Sequence, residues 1–60
     1  MKKGTVLVVD DDSRIRELLR LYLERADFSV LEAENGVAAS LLFQQSKPDL
    51  IVLDIMMPVM

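Results

Sequence analysis

Two uninterrupted apolar runs, Thr5-Val6-Leu7-Val8-Val9 and Leu50-Ile51-Val52-Leu53, both stop at aspartate, and nothing else in the chain restricts its folding as much. Neither run alternates apolar with polar residues. A strand wetted on one face would alternate, so both read as strands buried on both faces, the kind that parallel sheets contain. An acid placed where such a strand becomes a loop lies at the carboxyl edge of the sheet, and open α/β folds put their ligands there. One aspartate in that position is ordinarily a solvated strand end. Here Asp10, Asp11 and Asp12 follow the first run and Asp54 follows the second, which is harder to explain as end-of-strand solvation alone.

The residues between the runs alternate helix with strand. Asp12 or Ser13 can cap a helix whose apolar positions Ile15, Leu18, Leu19, Tyr22 and Ala26 recur at helical spacing, leaving Arg14, Glu17, Arg20, Glu24 and Arg25 as a solvated outer face. Phe28 to Leu31 predicts a short strand whose partial alternation suits a sheet edge, and Glu34-Asn35-Gly36 ends it. A second helix follows from about Val37 to Gln45, with Ala38, Leu41 and Leu42 facing inward, and Pro48 closes it by pushing Lys47 out of the helical region. Helical crossovers imply parallel strands and right-handed connections. If the first strand lies between the other two, the helices fall on opposite faces and a crevice opens where Asp10, Asp11 and Asp54 converge.

Composition narrows the chemistry. Sixty residues make one small domain, and a domain of that size buries only about 60% of its unfolded surface. Cysteine and histidine are both absent, which removes thiolate and imidazole chemistry and leaves carboxylates as the reactive groups. A net charge of −3 argues against a nucleic-acid surface on this segment. The apolar run after Met1-Lys2-Lys3-Gly4 is too short for a secretory or membrane segment, so the expectation is a cytoplasmic chain with no membrane partner. Acids gathered from two strand ends repel one another unless a cation, a lysine or a shared proton lies between them. An all-oxygen donor set suits Mg²⁺, which takes one or two carboxylates and leaves room for phosphate oxygens. That points to phosphoryl chemistry, with one carboxylate as the attacking group.

Three blocks carry a family resemblance: Val6-Leu7-Val8-Val9-Asp10-Asp11-Asp12-Ser13-Arg14-Ile15-Arg16, Ala33-Glu34-Asn35-Gly36, and Lys47-Pro48-Asp49 through Asp54-Ile55-Met56-Met57-Pro58. In content, order and separation the chain resembles the first half of a response-regulator receiver domain. The resemblance implies a flavodoxin-like parallel sheet of order 2-1-3-4-5, of which this chain would hold the 2-1-3 part, so residues 1–60 are expected to form a truncated receiver domain. It implies a signalling domain of a two-component phosphorelay rather than an enzyme. Asp54 would accept a phosphoryl group from a phosphohistidine on a sensor histidine kinase. Asp11 and Asp54 would bind Mg²⁺ directly, Asp10 mainly through a water, and Met56 through its backbone carbonyl. Pro58 would stiffen the loop beyond, a role that any turn proline also fills. Kinase contact in the family lies largely on the first helix, which directs attention to Ile15, Arg16 and Leu19, although core packing explains the apolar ones equally well.

The resemblance stops short of a whole receiver. The hydroxyl residue of a fourth strand, the lysine of a fifth and the aromatic switch residue fall outside these residues, and Lys47 precedes the third strand, at the wrong end of the sheet to replace that lysine. The third strand is therefore expected to offer an uncharged open edge through which copies could associate into a homo-oligomer without signalling. An output domain, often one that binds DNA, would belong to a longer parent. Two enzyme readings compete. The start Asp10-Asp11-Asp12 resembles that of haloacid-dehalogenase-like phosphatases, but Arg14 stands where those expect threonine or valine, and Asp54 is left without a role. A Walker B reading lacks its glycine-rich phosphate loop.

Overall fold

The computed structural model describes residues 2–53. Its elements are β1 (Thr5–Val9), α1 (Ser13–Arg25), β2 (Ser29–Ala33), α2 (Gly36–Ser46) and β3 (Leu50–Leu53). The sheet order is β2-β1-β3, and both pairings are parallel. β1 is thus the centre of the sheet, which explains why it is the most buried and most β-branched of the strands. Val6, Leu7 and Val8 are at most 1% exposed. Consecutive side chains of a strand point to opposite faces, and β1 serves two cores this way. Val6, Val8 and Val30 pack with Leu19, Leu23, Phe28 and Val52. Leu7, Val9 and Ala33 pack with Leu31, Ala38, Ala39 and Leu42. The two helices therefore cover opposite faces, as expected of a flavodoxin-like arrangement in which β1 separates its neighbours.

Both helices start on side-chain caps. Asp12, rather than Ser13, caps α1, accepting the Arg14 N–H at 2.9 Å, and Asn35 caps α2, accepting the Ala38 N–H at 2.9 Å. Such oxygens satisfy amides that no earlier turn can reach. α1 ends through Asp27, whose φ of 76° is left-handed, and the Phe28 N–H returns to the Leu23 carbonyl at 3.0 Å. α2 ends at Lys47, also left-handed with φ 47°, just before Pro48.

The helix faces differ from the expected ones by about one residue. On α1 the inward stripe is Arg16, Leu19, Arg20 and Leu23, while Ile15, Leu18 and Tyr22 lie on the exposed side. Arg20, expected in the outer face, instead lies against β2. On α2 Ala38 and Leu42 are inward as expected, but Ala39 takes the place expected of Leu41, which is exposed. Small residues at 38 and 39 let the α2 backbone approach the sheet closely.

β3 also departs from expectation. It is not buried on both faces: Leu50 and Leu53 are each 57% exposed. α2 packs on β1 and β2, so an open apolar groove of about 540 Å³ remains between α2 and β3, lined by Ala39, Phe43, Ile51 and Leu53 among others. β3 is tied down at its start instead. Asp49 accepts the Thr5 N–H through Oδ2 at 2.8 Å and donates its own N–H to the Thr5 carbonyl at 2.8 Å. Gly4 makes room for this, since a Cβ there would come within 2.9 Å of that same oxygen.

Candidate functional site

The carboxyl edge of the sheet is where the acids leave it. Register places Val9 beside Ala33 on one side and beside Leu53 on the other. The ends of β1 and β3 are therefore neighbours, and Leu53 is one residue short of Asp54 in sequence. Asp54, Met56 and Pro58 lie outside the described residues.

Asp10 continues the line of β1 by one residue, its N–H reaching the Ala33 carbonyl at 3.1 Å. It is only 5% exposed, an unusual situation for an aspartate. Its surroundings fix three of its four polar atoms. The amide is held by Ala33, the carbonyl accepts Arg16 Nη1 at 2.6 Å, and Oδ1 accepts the Asp12 N–H at 2.8 Å. The last contact is an aspartate side chain bonding the amide two residues on, a local turn that aspartate favours. Oδ2 is buried and has no hydrogen-bond partner among the described residues. A buried acceptor left open is rare, and a cation or an ordered water is the usual remedy. The donor chemistry here, carboxylate oxygen without nitrogen or sulfur, fits Mg²⁺.

The other two acids of the run have different fates. Asp11 is exposed. Asp12 is committed to structure: besides capping α1 it pairs with Arg14, whose Nε reaches Oδ1 and whose Nη2 reaches Oδ2, both at 3.3 Å. These side-chain bonds, and next the Arg14 N–H, hold the Asp12 carboxyl below its ordinary 3.8, and Arg14 is held above its usual range in return. Among the described residues no group of three or more acids gathers round one point. Asp10, Asp11 and Asp12 thus have three different surroundings: one buried, one exposed and one spent on the helix cap.

A depressed carboxyl contributes stability that is present above its unfolded value and is lost as pH falls through the lower folded value. Asp12→Asn is accordingly expected to be less stable than the parent near neutral pH, with the difference shrinking as pH drops below 3.8. The pair is solvent-exposed, so the gap should be small and should narrow further in high salt. Urea melts at several pH values check this, and a gap independent of pH would leave capping alone as the cause.

Behind Asp10 lies a charge network that the sequence pattern did not announce. Arg16 Nε donates to Glu32 Oε1 at 3.1 Å, Arg20 Nε faces Glu32 Oε2 at 3.1 Å, and Arg20 Nη2 donates to the Val30 carbonyl at 3.1 Å. The Arg16 side chain is only 16% exposed. The available signals were Glu32, an acid inside a strand, and Arg16, three and seven residues before Leu19 and Leu23 on the inward stripe. Of the residues considered for partner contact on α1, Arg16 and Leu19 are thus turned to the interior and Ile15 to the surface.

Comparison with known proteins agrees with this geometry. The family model described as "Response regulator receiver domain" matches residues 6–60. Among curated proteins the chain is 55% identical over 53 residues to the transcriptional regulatory protein ResD of Bacillus subtilis, covering 88% of this chain and 22% of ResD. It is 48% identical over 54 residues to the phosphate regulon transcriptional regulatory protein PhoB of Pseudomonas aeruginosa, covering 90% of this chain and 24% of PhoB. With the transcriptional regulatory protein SrrA of Staphylococcus aureus it shares 47% identity over 55 residues, covering 92% of this chain and 23% of SrrA. The chain therefore spans about a quarter of the length of these relatives. No helix among the described residues is long and apolar enough to cross a membrane. A parallel sheet of order 2-1-3 with acids at its carboxyl edge, and a family match running from the second residue of β1 to Met60, have one common meaning: this chain belongs to the response regulator receiver domain family of two-component signalling.

Proposed function

We propose that this chain, as the first half of a receiver domain, carries the phosphoryl-accepting part of a two-component relay, with Asp54 as the acceptor. The observation that carries the reading is Asp10: a buried aspartate pinned at three atoms, with one oxygen left open, at the end of a strand whose neighbour leads into Asp54. In the transfer, an Asp54 carboxylate oxygen attacks the phosphorus of a phosphohistidine on a sensor histidine kinase. The phosphorus–nitrogen bond breaks, its electron pair returns to the imidazole, and Asp54 is left as an acyl phosphate. Asp11 and Asp54 would hold Mg²⁺ directly, Asp10 mostly through a water, and Met56 through its carbonyl. The bound cation supplies charge neutralisation for the phosphoryl oxygens. The chain's own part is to orient the acceptor and to keep Asp10 fixed and available beside it.

The relatives named above are transcriptional regulators, and the same kind of output, cytoplasmic and acting on DNA through a separate domain, is proposed for the protein that carries this receiver. The acidic segment itself would not contact the nucleic acid.

Labelling with acetyl phosphate in Mg²⁺ tests the assignment. The parent should acquire a base-labile acyl phosphate and Asp54→Asn should acquire none. If Asp54→Asn still labels while Asp10→Asn does not, the first acid is the nucleophile and the phosphatase-like reading replaces this one.

A further inference from the structure

Asp10 is where β1 leaves the sheet, and the group that holds its main chain at that point is Arg16. The guanidinium is divided between two acceptors: Nη1 on the Asp10 carbonyl at 2.6 Å and Nε on Glu32 Oε1 at 3.1 Å. Glu32 is in turn faced by Arg20, which is anchored on the Val30 carbonyl. A continuous path therefore runs from the backbone of β2, through two arginines and one glutamate, to the backbone of the residue that begins the acidic run. We infer that Arg16 is a positioning residue for the cation site, setting how tightly Asp10 and Asp11 take up a divalent ion without touching it. This rests on the reading of those acids as cation ligands.

Two physical effects of Arg16 oppose each other, and geometry decides between them. Its positive charge, taken alone, would weaken cation binding nearby. Glu32, shared between Arg16 and Arg20, offsets part of that charge, and the bond is made to the Asp10 carbonyl rather than to its carboxylate, so Oδ2 is left open. What remains is orientation. Outer groups that fix the ligands of a metal typically change its affinity by about 10- to 100-fold when removed. Arg16 can do this because a guanidinium engages two acceptors in a fixed plane, which an ammonium does not reproduce. Arg20 is the internal control, since it leans on the same Glu32 but makes no contact with Asp10.

The test is calorimetric titration of the intact protein with Mg²⁺ alone. Arg16→Met is expected to weaken Mg²⁺ binding by about 10-fold or more, Arg16→Lys to fall between it and the parent, and Arg20→Met to stay within about twofold of the parent. A metal-free readout accompanies it. The Asp12 amide, held on Asp10 Oδ1, should exchange its hydrogen faster in Arg16→Lys than in Arg20→Met, which keeps the inference testable if Arg16→Met fails to fold. Unchanged or tighter Mg²⁺ binding in the folded Arg16 variants overturns it, as does an equal loss in both arginine variants. If the parent itself binds no Mg²⁺, the reading of Asp10 and Asp11 as ligands fails first, and this inference falls with it.

Discussion

Asp10→Asn is expected to stabilise the metal-free protein, by on the order of 1 kcal/mol, because an unpaired buried charge costs more than the unpaired neutral amide that replaces it, and to remove most of its response to Mg²⁺. The aspartate is 5% exposed and its Oδ2 has no partner among the described residues. An asparagine keeps the Oδ1 that accepts the Asp12 N–H at 2.8 Å, and replaces the open oxygen by an uncharged amide nitrogen. Burial of an unpaired charge is thereby relieved at little steric cost. In the parent the same relief would come from the proposed cation, whose contribution follows RT ln(1 + [Mg²⁺]/Kd), about 2.7 kcal/mol at a hundredfold excess over Kd. The substitution and the ion should therefore not add: each removes the reason for the other. Denaturant melts with and without Mg²⁺ give both quantities. A variant less stable than the parent without metal would mean that the carboxylate is not a source of strain.

Leu7→Ala should lower stability by about 2–5 kcal/mol, which is the range for emptying a fully buried leucine site. Leu7 is 0% exposed in the central strand, with Leu31 and Ile51 beside it in register and Ala38, Ala39 and Leu42 in the same core. The site has little means of collapsing into the cavity, since alanines already occupy the helix face above it and hydrogen-bonded strands lie on either side. Stability runs at about 0.05–0.15 kcal/mol per residue, so a loss of this size is a large share of what sixty residues contribute. A large part of the chain should consequently lose its cooperative melt. Leu18→Ala on the exposed side of α1, at 53% exposure, provides the contrast and should change stability by no more than about 0.5 kcal/mol. A comparable loss from both substitutions would contradict the assignment of the α1 face.

Most of the framework was legible in the sequence. Val6 to Val9 read as a strand buried on both faces and is one, although the same unalternated pattern at Leu50 to Leu53 belongs to a strand left partly exposed. Pro48 marked the end of α2 to within about one residue, through a steric clash that acts locally, and the break at Glu34-Asn35-Gly36 set its start one residue late, without revealing Asn35 as the cap. The direction in which the helices turned was not legible in the same way. α1 carries Ile15, Leu18, Leu19, Leu21, Tyr22 and Leu23, apolar groups spread over about half its circumference, so periodicity alone left its inward face uncertain by one residue. Long arginine stems also cover apolar surface while their heads reach polar partners, which hides them from a hydrophobic pattern.

Strand and helix order, the capping residues and the presence of acids after two apolar runs were determined locally, by side-chain shape, alternation and turn chemistry within a few residues. The exposure of β3, the inward turn of Arg16 and Arg20, and the division of Asp10, Asp11 and Asp12 into a pinned, an exposed and a capping acid were decided only when distant segments met. Glu32 lies sixteen residues beyond Arg16, and Ala33, which holds the Asp10 amide, belongs to a strand that nothing next to Asp10 in sequence foretells. A side chain's environment is a property of its neighbours in space, and only the packed sheet supplies those.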